Sequence, residues 1–148
     1  MSRFAYPVEL SRDEDGRYLV QFPDIPEALT DGADQAEALW EAVDCLGTAL
    51  AGYLLHRESV PQPSPARGRP VVAPPTAIAA KAALAEALEG AGPHGGRMSN
   101  TDFAALLDIH EGEVRRLLDP RHASKIGRLE WALASLGKRL VVSVEDAA

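Results

Sequence analysis

The sequence predicts an α+β protein: a small N-terminal antiparallel sheet with one packed helix, then a helical unit that ends in a β-strand. Three features predict it. Residues 3–32 alternate apolar and polar positions around an Asp15-Gly16 turn. Residues 34–57 repeat apolar side chains at helical spacing. Beyond residue 76, helix-forming stretches are separated by Gly and Pro, and the chain closes on "KRLVVSVE".

"RFAYPVEL" (3–10) reads as a strand with Phe4, Tyr6 and Val8 on one face. "RYLVQF" (17–22) returns beside it, because Asp-Gly is a strong hairpin signal. Pro23 and Pro26 lack backbone donors, so strand pairing stops there. "ALTDG" (28–32) is a candidate third strand. Asp34 is a suitable N-cap for a helix reaching about Arg57. Its expected buried face holds Ala36, Leu39, Trp40, Val43, Gly47, Leu50 and Leu54. Glu37, Glu41, Asp44 and Thr48 line another face and are left outward. Residues 59–75 are Pro-rich and extended, with an edge strand at 70–73. The first unit is therefore placed at 1–75 and the second at 76–148.

In the second unit, the Ala-rich 76–92 is helix-prone, and "GAGPHGG" breaks it. Ser99 or Asn100 caps a helix at 101–107. After a break at 108–110, another runs over 111–118, stopped by Asp119-Pro120. Residues 123–137 form a further helix with Ile126, Leu129, Leu133 and Leu136 inward and Gly137 at its end. A strand at 138–145 puts Leu140, Val142 and Val144 on one side.

Composition excludes several classes. Cys45 is alone, so no internal disulfide forms, and one Cys with four scattered His gives no zinc spacing. No apolar run approaches the roughly 18 residues of a membrane span. "MSRFAYPVEL" lacks a signal-peptide core, so a cytoplasmic location is expected. Charge is unevenly spread. Residues 1–65 carry four arginines against twelve carboxylates, a net −8. Residues 115–139 carry seven Lys and Arg against two carboxylates, a net +5. Two partners of opposite charge are one reading; two ordinarily solvated surfaces are the other.

The pair 101–107 and 111–118 has the layout of a helix-turn-helix. Ala104 suits a close crossing, and Ile109, Val114 and Leu117 lock the pair. A DNA-facing side then holds Thr101, His110, Glu111, Arg115 and Arg116, with Arg121, His122 and Lys125 in the loop where phosphates pass. A plain helical hairpin shares this layout, and Glu111 and Glu113 oppose phosphate. The final strand has no partner in its own unit. Leu140, Val142 and Val144 are therefore assigned to pairing across a two-fold axis.

"YPVEL", "DEDGRYLVQFPDIPEALTDGADQAEALWEAVDCLGTAL" and "VPQPSP" resemble the HicB antitoxins of bacterial type II toxin–antitoxin systems. "RRLLDPRHASKIGRLEWALASLGKRLVVSV" looks like the helix-turn-helix tail of one branch of that family. Glu27-Ala28 stands where members usually carry Gly-Cys, and Asp108 where such turns favour Gly. The resemblance implies a degenerate ribonuclease-H-like N-terminal domain and no catalysis of its own. It implies a HicA-type toxin, a small basic mRNA-cleaving ribonuclease, as partner, with operator DNA and self-association into dimers or tetramers. Asp24, Glu27, Glu37, Glu41 and Asp44 are the acidic residues assigned to the toxin. No metal, cofactor or membrane is implied. Two competing readings are a nuclease with Asp13, Glu14, Asp15, Asp24, Asp31 and Asp34 as metal ligands, and a free-standing transcription regulator with an acidic sensing domain. Turn aspartates ordinarily serve local hydrogen bonds, which counts against the nuclease.

Overall fold

The computed structural model describes residues 3–146 as two compact units. The first comprises the residues up to Tyr53 with Val60–Thr76; the second comprises Leu54–Ser59 with the residues from Ala77 onward.

The expected first strand is two. β1 (Tyr6–Pro7) and β2 (Glu9–Arg12) are separated at Val8, whose N–H donates to the Pro70 carbonyl at 2.9 Å. β2 pairs antiparallel with β3 (Tyr18–Gln21), and β3 with β4 (Leu29–Gly32), in the order β2-β3-β4. β1 pairs instead with β5 (Val71–Val72), Tyr6 opposite Val72. Tyr6, Val8 and Val20 are fully buried. In the turn between β2 and β3, the Asp13 carboxylate accepts from the Asp15 and Arg17 N–H groups, and Gly16 takes a positive φ of 79°. The Pro corner is two successive turns, Ile25 N–H to Phe22 and Ala28 N–H to Ile25, and all three of these side chains are buried.

α1 (Gln35–Leu55) follows Asp34, whose carboxylate accepts the Glu37 N–H at 2.8 Å. Glu37 returns a bond to the Ala33 N–H at 2.6 Å, a reciprocal cap of the helix start. Gly32 is required just before it: a Cβ there would stand 2.4 Å from the Ala38 backbone nitrogen. The buried face of α1 is Ala38, Ala42, Leu46, Gly47 and Leu50. Gly47 and Leu50 are buried as expected, and the rest of the expected face is corrected. Ala36 is exposed, Leu39 and Val43 are only half-buried, and Trp40 is 76% exposed. Small alanines let the helix sit close, and Trp40, two residues from both Ala38 and Ala42, lies on the opposite side of the helix. Contrary to the expectation that no stretch is long and apolar enough, α1 has the length and apolar composition of a membrane span. Its buried side belongs to the core of a folded unit, and its other side carries carboxylates.

The second unit contains α2 (Thr76–Glu89), α3 (Asn100–Leu107), α4 (Glu111–Leu118) and α5 (Ile126–Ser135). Ala80, Leu84 and Leu88 of α2 share one core with Phe103, Ala104, Leu107, Val114, Leu117, Leu129, Ala132 and Leu133. Ile126, expected inward, is 42% exposed, because α5 begins there and its buried stripe starts one turn later. α5 ends with Gly137 at φ 74°, whose N–H donates to Ala134 while Lys138 N–H donates to Leu133. These two bonds satisfy carbonyls left free by the last turn.

The expected strand at 138–145 forms no ladder within this chain: residues 138–146 carry no regular structure. Leu140 packs against the helical core, while Val141, Val142 and Val144 are exposed. A strand needs a paired edge, and the unit offers only helices.

The two views of α1 differ measurably. Leu46→Ala is expected to cost about 2–5 kcal/mol, and Trp40→Ala less than about 0.5 kcal/mol. Urea unfolding of both variants checks this; the reverse order would restore the sequence-based face.

Candidate functional site

The acidic residues of the first unit separate into tied and free. Asp24 is half-buried and accepts from both the N–H and the hydroxyl of Ser64, at 2.9 and 3.0 Å. With Tyr6 donating to the Pro61 carbonyl at 2.6 Å, this fixes the Pro-rich segment to its own unit. Glu37 is committed to the helix cap. Glu27, Glu41 and Asp44 are exposed, and Trp40 stands beside Glu41 on α1 at the same helical face as Glu37 and Asp44.

Four of the aspartates considered as metal ligands have local work. Asp13 holds its turn, Asp34 caps α1 and Asp24 holds Ser64. Asp31 pairs with Arg17 at 2.8 Å, and that hydrogen bond holds its carboxyl below the usual range. Among the described residues, no group of three or more His, Cys, Asp or Glu converges for a metal ion.

In the second unit, Ser99 caps α3 by accepting the Asp102 N–H at 3.0 Å. α3 ends at Asp108, in the left-handed conformation at φ 54° and ψ 49°. Asp108 N–H donates to Ala105, and Ile109 N–H to Ala104, the same two-bond closure that Gly137 gives α5. Aspartate tolerates this backbone better than most residues. The half-buried Ile109 packs on the core, so the turn carries α4 directly off α3.

The cations differ in their freedom. Arg115 pairs with Glu111 at 2.9 Å, and Arg128 with Glu113 at 3.4 Å while covering the Trp131 ring. Arg121 grips Asp119 through two nitrogens, at 3.0 and 3.1 Å, and this lowers the Asp119 pKa. Arg116 and Lys125 are exposed and make no ion pair among the described residues. Thr101 and His110 are exposed, His110 opening α4 without a side-chain cap bond. Of the residues assigned to dimer pairing, Leu140 is taken up by the core, whereas Val142 and Val144 are free on the surface.

Two residues escaped the sequence reading. Trp40, which its i, i+3, i+4 spacing assigns to the inward face, is exposed. Lys81 was passed over, yet it is 1% exposed and donates to the Arg116 carbonyl, the Asp119 carbonyl and the Ser124 hydroxyl, at 2.9, 2.7 and 2.9 Å. Burial lowers its pKa, opposed by the Asp119 charge. A signal existed: Lys81 precedes Leu84 and Leu88 by three and seven residues, on the buried stripe of α2.

Residues 5–83 match a family described as HicB-like antitoxin of a bacterial toxin–antitoxin system. Two relatives in Photorhabdus laumondii are named antitoxin HicB 1 and antitoxin HicB 2. The first is 36% identical over 140 residues, 95% of this chain and 86% of the relative. The second is 41% identical over 135 residues, 91% and 92% of the two chains. Antitoxin HicB of Escherichia coli K12 is 35% identical over 136 residues, 91% and 95%.

The left-handed turn between α3 and α4 generates a stability test. Asp108→Val is expected to destabilise by about 1–2 kcal/mol, since a β-branched residue resists positive φ. Asp108→Gly is expected to hold or raise stability. Thermal unfolding that ranks Val above Gly would rule out the left-handed assignment.

Proposed function

The chain belongs to the HicB-like antitoxin family; from that premise we propose that it inhibits a HicA-type mRNA-cleaving toxin and represses its own operon by binding operator DNA. The observation that carries this reading is the division of charge: exposed Glu27, Glu41 and Asp44 in one unit, and exposed Arg115, Arg116, Arg121 and Lys125 around α4 in the other. In this reading 1–75 neutralises the toxin, and 76–148 binds DNA and dimerises, both in the cytoplasm. The chain itself performs no catalysis.

A ribonuclease surface that holds RNA is basic. An acidic face docked on it gains complementary contacts and excludes the RNA. Trp40 supports the assignment to α1, because a large exposed aromatic beside carboxylates supplies apolar area and a cation–π face to Lys or Arg. Asp24 and Glu37 then act mainly by holding the surface in shape. For DNA, Arg116 is the best placed to reach a base edge or phosphate, since no carboxylate competes for it. Arg115 and Arg121 must first leave, or share, Glu111 and Asp119. Two-fold pairing through Val142 and Val144 sets two copies of α4 against neighbouring half-sites.

Glu41→Lys with Asp44→Lys is expected to slow toxin association and to weaken its salt dependence. Trp40→Ala is expected to cost about 2 kcal/mol of toxin binding. Stopped-flow association over a salt series checks the first and calorimetry the second, both with a HicA-type toxin, and unchanged rate and affinity in all variants would move the site off α1.

Arg116→Ala is expected to cost about 1–3 kcal/mol of operator binding. Val142→Pro removes a ladder donor, so it is expected to give monomers and lose most operator affinity while toxin binding survives. Sedimentation of the full chain decides this: wild type that is monomeric at tens of micromolar, roughly where weak dimers form, excludes the strand-paired dimer.

A further inference from the structure

We infer that Lys81 is the positioning residue of the DNA-facing surface: its buried ammonium fixes the end of α4 and the loop into α5. This inference rests on the proposed DNA binding and goes beyond it, because Lys81 itself is sealed from any phosphate, at 1% exposure.

The geometry is saturated. An ammonium has three N–H donors, and all three find oxygen acceptors within 2.9 Å. The first is the backbone carbonyl of Arg116, the exposed arginine of α4 without an ion pair among the described residues. The second is the carbonyl of Asp119, at the cap of α4. The third is the Ser124 hydroxyl, which lies immediately before Lys125, the residue that opens α5. Two of these acceptors are carbonyls that a helix C-terminus leaves free, and a cation is favoured at that end of the helix dipole.

The loop amplifies the constraint. Asp119, held through its carbonyl, holds Arg121 through its carboxylate, and the same carbonyl also accepts the His122 N–H at 3.1 Å. One side chain on α2 therefore sets the backbone of Arg116, the anchor of Arg121 and the residue before Lys125. A methionine of similar volume would fill the same space without the cost of burying a charge. What lysine supplies, and methionine does not, is the fixed position of three acceptors. The Ala-rich helix α2 thereby belongs to the recognition machinery rather than to a linker.

The test uses the full chain, with a duplex spanning the promoter of its own operon and a mixed-sequence duplex as probes, titrated over a salt series. Lys81→Met is expected to keep the helical content of wild type. Its amides at 121–124 are expected to exchange about tenfold faster. Its promoter affinity is expected to fall about tenfold, and its salt slope to flatten by about one, as one phosphate contact is lost. A folded Lys81→Met with wild-type affinity and slope overturns the positioning role. Should Lys81→Met unfold, Ser124→Ala removes the loop acceptor of Lys81, together with the long 3.4 Å bond from that hydroxyl to the Arg116 carbonyl; a flattened slope supports the role, and wild-type behaviour overturns it. Failure of wild type to bind either duplex overturns the DNA-binding reading itself, a result distinct from unaltered binding by the variants.

Discussion

Short helices cannot satisfy their own ends, and the second unit is organised around that constraint. α3 and α4 have eight residues each, and four carbonyls at every helix C-terminus find no partner within the helix. Three devices resolve this. A left-handed Asp108 closes α3, a left-handed Gly137 closes α5, and the Lys81 ammonium closes α4. The third device is the costly one, since it buries a charge. It is also the one that reaches across sequence, tying residue 81 to residues 116, 119 and 124. The cations at the end of α4 and in the following loop inherit their positions from it.

The first unit meets a related demand with carboxylates. Asp13, Asp24 and Asp34 each accept backbone N–H groups that turns and helix starts leave free. The Pro-rich segment, which makes few hydrogen bonds of its own, is held by Asp24 on Ser64, by Tyr6 on Pro61 and by the β1–β5 pairing. Much of the acidity of this half is thus structural. Of the carboxylates left over, Glu41 and Asp44 share an exposed helix face with Trp40. An acidic protein surface with an aromatic on it suits a basic protein partner better than a metal ion, which demands convergent ligands. That contrast supports the proposed toxin contact over the competing nuclease reading.

The two halves of the proposed function then draw on the same physical logic. One unit offers carboxylates where a toxin would hold RNA; the other offers arginines where DNA would lie. Paired cations such as Arg115 and Arg121 are held close to their carboxylates, so the proposed DNA binding would exchange one partner for another. Arg116 needs no such exchange, and its backbone is the part that Lys81 holds.

Local chemistry in the sequence determined the elements. Asp15-Gly16, the Pro23 and Pro26 corner, Asp34, Ser99 and Asp119-Pro120 each mark a boundary by hydrogen-bonding capacity or fixed φ, properties that need no tertiary context. Most element boundaries and the antiparallel sheet were legible for this reason; the family was legible from the resemblance of the motifs that hold them. Tertiary packing decided the rest. The periodicity of α1 allowed two adjacent faces, and the close approach that alanine permits selected Ala38 and Ala42 over Trp40. The role of Lys81 appears only when its stripe is buried and its acceptors, more than thirty residues away, are brought to it. The closing residues 138–145 alternate like a strand, but alternation sets only which side chains share a face. Whether a strand forms depends on an edge to pair with, and that is a property of the surroundings, not of the segment.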